Sequence, residues 1–189
     1  MLFLRAEPTW VWEAHVRGVG PIVRKATIVR GTMAAPERRL KALHLPPDQN
    51  PYQRLLFDGL QSQDVDCELH MGQLVELFAP SVVRSNDVLH IHWLHRYFAG
   101  QSLLRGTARG LLLLLVLAYW RLRGRRVLWT VHNLAHHEGE RGSFDRALST
   151  AVARLAHRVI SHSTAGRVAV ARRFWLRPPK VVVGLHGNY

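Results

Sequence analysis

From Lys41 onward, short apolar runs alternate with longer stretches whose apolar positions recur every three or four residues. Residues 41–45 predict a strand that stops at Pro46-Pro47. Asn50 then reads as a helix N-cap, with Pro51 at the first helical position and Gln53 as the return partner of a capping box. Tyr52, Leu55, Leu56 and Leu60 follow at helical spacing and give that helix an apolar face. Residues 65–69 predict a second strand and 73–78 a short helix. A third strand is expected over 87–93 (DVLHIHW), a long helix over 100–122, and a fourth strand over 126–132 (RVLWTVH). Ser143 reads as the cap of a helix striped by Phe144, Ala147, Leu148, Ala151, Val152 and Leu155. Strand 157–162, helix 164–174 and strand 180–185 complete the series. Strands that alternate with helices predict a Rossmann-like, three-layer α/β/α domain with a mainly parallel sheet. The sequence shows no internal repeat and no low-complexity tract.

Residues 1–40 do not share this rhythm. They hold Trp10, Trp12 and scattered arginines without a period, broken by Gly18, Gly20 and Pro21. Two readings stand: translation starts at Met33, or the segment is a basic N-terminal arm. The expected division is an extension over 1–40 and one domain over 41–189.

The most apolar stretch, GLLLLLVLAYW at 110–120, covers in helical form roughly half of the ~30 Å hydrocarbon core of a bilayer. A helix apolar on all sides predicts burial in an α/β layer. The other reading rests one face on a membrane, with Arg105, Arg109, Arg121, Arg123, Arg125 and Arg126 around it.

Charge sharpens that second reading. Lys and Arg total 26 against 13 Asp and Glu, a formal net charge of +13. So basic a chain is drawn to phosphate-rich partners: nucleic acid, anionic lipid headgroups or phosphorylated metabolites. Cys67 is the only cysteine, which excludes an internal disulfide and a cysteine-built zinc site and points to a reducing cytoplasm. No secretory signal pattern opens the chain.

The unusual polar clusters all follow strands: Asp48-Gln49-Asn50, His92 to Arg96, His132 to Glu138, and His186-Gly187-Asn188. In open α/β sheets the ligand crevice lies outside the carboxyl ends of the strands, so four loops are expected to converge on one rim. His90 and His92, two apart on a strand, share a face, and with His95 they could ligate zinc. A strand histidine is more often a hydrogen-bonded core residue, and that is the reading favoured for His90. His92 and Trp93, at the strand end, are better placed to meet a ligand. In TVHNLAHHE (130–138), His132 can exchange a hydrogen bond near neutral pH, and Asn133 offers donors and an acceptor suited to sugar hydroxyls. His136, His137 and Glu138 could supply a base or metal ligands, or simply decorate a solvated loop. GxxxxGK[ST], GxGxxG and GxSxG are absent, which removes the main support for kinase, dinucleotide oxidoreductase and serine hydrolase readings.

NPYQRLL (50–56), DVLHIHWLH (87–95), VLWTVHNLAHHE (127–138), RVISHS (158–163) and HGNY (186–189) stand in an order that resembles bacterial glycosyltransferases of the GT-B fold. The similar group transfers mannose and glucose to polysaccharides and glycolipids. The resemblance covers 41 to the end and implies an enzyme of two Rossmann domains facing a cleft. This chain matches the acceptor-side, N-terminal one. It implies that His132 supports catalysis beside the transferred sugar and that Asn50, His92, Trp93, Asn133 and Glu138 bind substrate. His186, Gly187 and Asn188 resemble the hinge into the donor domain. The family's first loop is usually glycine-rich; Asp48 to Asn50 are not, so the resemblance does not carry phosphate contact to them.

The expected partners are a nucleotide-sugar donor, a saccharide or lipid-linked acceptor, an anionic membrane at the inner face of the cell membrane, and a donor-domain subunit. No cofactor and no metal are expected. The chain ends where the donor half would begin, so the expectation is a half-enzyme inactive alone, or a noncatalytic acceptor-binding or docking subunit. A metal-dependent hydrolase and a nucleic-acid binder are the competing classes.

Overall fold

The computed structural model describes residues 38–48, 50–98, 102–132 and 142–184. Six strands form one sheet: β1 (Leu40–Leu45), β2 (Val65–Leu69), β3 (Val88–Ile91), β4 (Arg126–Val131), β5 (Arg158–Ser161) and β6 (Val181–Val183). Their order is β2-β1-β3-β4-β5-β6, and every pair is parallel. The helices are α1 (Pro51–Gln61), α2 (Pro80–Ser85), α3 (Leu103–Leu122), α4 (Gly142–Leu155) and α5 (Thr164–Arg173). Short 3-10 turns stand at Leu74–Phe78, Leu94–Tyr97 and Pro178–Lys180. The fold is Rossmann-like α/β, with helices on both faces of the sheet.

Side-chain alternation sorts the strands into two faces. Leu43, Leu45, Leu89, Ile91, Val127, Trp129 and Val159 join Leu113, Leu117 and Trp120 of α3, Leu148 and Val152 of α4, and Val170 of α5 in the main core. The opposite face carries Ala42, His44, His90 and Thr130, and α1 lies over its β1 side, where Phe57 meets His44 with ring centroids 4.5 Å apart. The order explains this split. The β1-to-β2 crossover runs one way along the sheet and the later ones run the other, so right-handed connections put α1 on the face opposite the other described helices.

Several local expectations change. Asn50 does cap α1, its side chain accepting from the Tyr52 amide at 2.9 Å. Gln53 does not close a capping box on it. Its amide accepts from the Asp48 N–H at 2.8 Å and donates to the Pro46 carbonyl at 3.1 Å, pinning the turn that leads into the helix. The expected helix at 73–78 is a 3-10 turn, followed by the unexpected α2 after Pro80. Strand 87–93 ends at Ile91, because a 3-10 turn begins at Leu94. α4 begins at Gly142, so Ser143 lies inside its first turn.

The Leu-rich helix is less buried than expected. α3 starts after Ser102, whose hydroxyl accepts from the Arg105 amide, and it stops at Gly124, whose φ of 74° suits a residue without a β-carbon. Gly106, Gly110, Leu113, Leu117 and Trp120 face the core. Leu104, Leu111, Leu115 and Leu122 line the opposite side of the same helix, each between 54% and 86% exposed. Its length and composition would suffice to cross a membrane, yet one face is built into the domain core.

Candidate active site at the carboxyl ends of the strands

Because all strands are parallel, β1, β3, β4 and β5 deliver their carboxyl ends to one rim. The residues there are dominated by imidazoles. His44 lies in β1 opposite His90 of β3, and Val131 of β4 pairs with Ser161 of β5. His132 and His162, each one residue further on, are therefore neighbours. Sequence reasoning singled out His90, His92 and His132. His44, His162 and Tyr52 were missed as site residues, since their proximity follows from strand order and register, which sequence spacing does not encode.

Two layers result. In the lower one His44, His90 and His92 are all buried. The His44 Nδ1 and His92 Nε2 atoms lie 3.0 Å apart, and His90 Nε2 is 2.8 Å from the Thr130 hydroxyl. Burial holds all three rings in the neutral form. The pKa of His44 is lowered to about 3, and desolvation first, then neighbouring imidazoles, lowers those of His90 and His92. His90 is thus the hydrogen-bonded core residue that its strand position suggested. His92 departs from expectation: at 1% exposure it lies beneath the rim, not on it.

Nitrogen atoms of the three rings fall within 4.8 Å of one another, close enough to be tested as a metal site. The group contains no carboxylate or thiolate to offset a divalent charge. The His44–His92 pair, at 3.0 Å, is nearer a hydrogen bond than the edge of about 3.3 Å in tetrahedral zinc–imidazole geometry. A neutral hydrogen-bonded network describes it better than a metal centre.

The upper layer is built on His132. Trp93 stacks on its ring with centroids 4.8 Å apart and an interplanar angle of 11°. Tyr52, from the first turn of α1, meets it edge-on at 4.8 Å and 87°. His162 Nε2 stands 3.3 Å from His132 Nδ1, while His162 Nδ1 stands 3.0 Å from the Gly184 carbonyl just after β6. The loop after β1 is tied to the same rim: Arg96 binds the Asp48 carboxylate at 2.7 Å. Asn50 is exposed beside it, with its side-chain oxygen engaged in the cap of α1. His132, Trp93, His92, Asp48 and Asn50 therefore gather at one end of the sheet. Asn133, His136, His137, Glu138, His186, Gly187 and Asn188 lie outside the described residues.

No family model matches the sequence. A GDP-mannose:glycolipid 4-beta-D-mannosyltransferase of Xanthomonas campestris pv. campestris is 29% identical over 169 residues, covering 89% of this chain and 42% of that protein. The likeness is to a glycosyltransferase. The same protein from a second strain of that organism matches equally. The chain thus spans less than half the length of the mannosyltransferases that it resembles. Among solved structures, Anabaena HepE in complex with UDP is similar at 12% identity and a TM-score of 0.46, covering 79% of this chain and 44% of that one. HepE with UDP and glucose gives 16% and 0.45. The resemblance to glycosyltransferases drawn from the ordered motifs is in agreement with the mannosyltransferase match.

Proposed function

We propose that this domain is the acceptor-side half of a GT-B glycosyltransferase, moving a hexose from a nucleotide-sugar to a hydroxyl of a saccharide or lipid-linked acceptor. The observation that carries the reading is the placement of His132 at the carboxyl end of β4, stacked on Trp93 and buttressed by Tyr52. An imidazole held in this way can take the proton from the acceptor hydroxyl as its oxygen bonds to the anomeric carbon and the nucleotide phosphate departs. Trp93, half-buried beside it, offers apolar surface to a sugar ring. Asn133 and Glu138 are the acceptor-orienting residues that the family resemblance suggests. The nucleotide is held by a second Rossmann domain, joined through His186-Gly187-Asn188 or supplied as a separate subunit. General-base catalysis contributes about 10²- to 10⁴-fold. His132→Ala should therefore lower transfer by about 10²-fold or more, measured with GDP-mannose and a glycolipid acceptor in a protein that includes the donor half. Unchanged transfer would remove His132 from the mechanism and leave a noncatalytic acceptor-binding role.

The glycolipid acceptor of the similar mannosyltransferase, and the exposed leucine side of α3, support a cytoplasmic location against the inner membrane face. Leu104, Leu111, Leu115 and Leu122 would enter the headgroup region, with Arg105, Arg109 and Arg123 beside them for anionic lipid. Leu111→Glu with Leu115→Glu should abolish sedimentation with phosphatidylglycerol vesicles and leave the fold intact by circular dichroism. Equal sedimentation of both proteins would dismiss the contact.

A further inference from the structure

The His132–His162–Gly184 contacts fix more than the position of a ring. A backbone carbonyl can only accept a hydrogen bond, so in neutral His162 the nitrogen facing the Gly184 oxygen at 3.0 Å, Nδ1, must carry the proton. Its other nitrogen, Nε2, then holds a lone pair. That lone pair stands 3.3 Å from His132 Nδ1, which must be the donor in turn. Neutral His132 is left with its lone pair on Nε2.

We propose that His162 is a positioning residue that holds His132 in the Nδ1–H tautomer, with the Gly184 carbonyl as the fixed end of the relay. Neither the sequence motifs nor the likeness to mannosyltransferases assigns His162 a role. The inference deepens the reading of His132 as the base and rests on it for its catalytic meaning. When an acceptor hydroxyl that reaches the buried Nε2 of His132 gives up its proton, the proton goes to that nitrogen. The oxygen–hydrogen pair becomes the new bond to the anomeric carbon, and the anomeric carbon–phosphate pair leaves with the nucleotide. The imidazolium so formed keeps its Nδ1 proton, which stays hydrogen-bonded to His162 Nε2, while the Nδ1–H of His162 is anchored on Gly184. No proton has to leave the relay. Trp93 and Tyr52 hold the ring in plane; His162 decides which nitrogen is basic.

The test is nitrogen-15 NMR of the histidine rings in the full 189-residue chain, near pH 8.5, above the ordinary histidine range of about 6.5. The expected spectrum has His132 protonated at Nδ1, His162 protonated at Nδ1, and a nitrogen–nitrogen coupling across the bond between the two rings. His162→Phe keeps an aromatic ring against Tyr52 but removes the acceptor, and His132 should turn to the Nε2–H form. His162→Gln restores an acceptor and a donor at nearly the separation of the two imidazole nitrogens, and should restore the Nδ1–H form. A structural role for His162 would not distinguish Phe from Gln in this way. Wild-type His132 protonated at Nε2, or a tautomer unmoved by His162→Phe, overturns the proposal. If the Phe variant does not fold, the wild-type tautomer and the coupling still decide it. In the protein with its donor half, His162→Phe should lower kcat by about 10-fold or more with little change in KM, and His162→Gln should recover most of the loss. A relay present by NMR, together with a His132→Ala variant that transfers sugar normally, would keep the tautomer assignment and remove the reading of His132 as the base.

Discussion

His44 shows how much a single buried imidazole can govern. Its neighbours are Phe57, His90 and His92, and it stays neutral down to a pKa of about 3. In the unfolded chain it titrates near its ordinary value of about 6.5. Between those values the unfolded state binds a proton that the folded state does not, so stability rises with pH across the window and falls as pH drops through it. One such histidine contributes a slope of about 1.4 kcal/mol per pH unit. His90 and His92 are shifted in the same direction and steepen it. Urea denaturation at pH 7 and pH 5 should therefore show a marked loss of stability at pH 5, and His44→Phe should flatten the dependence. At this scale the sequence was only partly legible. His92 and His132 stand out because polar residues follow an apolar run. His44, inside LKALHL, and His162, at the end of RVISH, carry no such contrast; only the pairing of β1 with β3 and of β4 with β5 brings them to the others.

Elements were more readable than faces. All six strands were legible from short apolar runs bounded by turns, because a parallel sheet covered by helices needs near-continuous apolar strands. The orientation of α3 was not, since leucines on every side give no amphipathic contrast. Its two sides should behave differently under truncation. Leu113→Ala, on the fully buried side, should cost about 2–5 kcal/mol, and Leu115→Ala, 60% exposed, should stay within about 0.5 kcal/mol. Trp120 adds a polar tie, its indole N–H donating to the Leu77 carbonyl at 2.9 Å. Trp120→Phe leaves that carbonyl without its donor and opens a cavity, so a loss of about 2–4 kcal/mol is expected by chemical denaturation. The 3-10 turn at Leu74–Phe78 would loosen first.

For the whole molecule, the asymmetry of the sheet matters most. Among the described residues one face is filled by α3, α4 and α5, while α1 is the one helix on the other, where Leu128, Ile160 and Val182 are half-buried. The site occupies the carboxyl rim of that lightly covered side. The opposite rim is closed by Asp87, which accepts from Arg38 at 2.7 Å, from the Lys41 amide at 3.0 Å and from Arg125 at 3.2 Å. This is an ionic knot at the opposite rim from the candidate site, and its members are too widely separated along the chain to be read together from the sequence. Asp87→Ala should lower stability and leave acceptor binding unaltered. The Gly184 carbonyl has a different reach. It is the last described group before the segment that resembles an interdomain hinge, and it terminates the string of hydrogen bonds that begins at His132. A boundary drawn at Val183 would give a domain with all six strands but without the carbonyl that faces His162, so under the proposed relay the length chosen for an expressed fragment will itself determine what chemistry is seen.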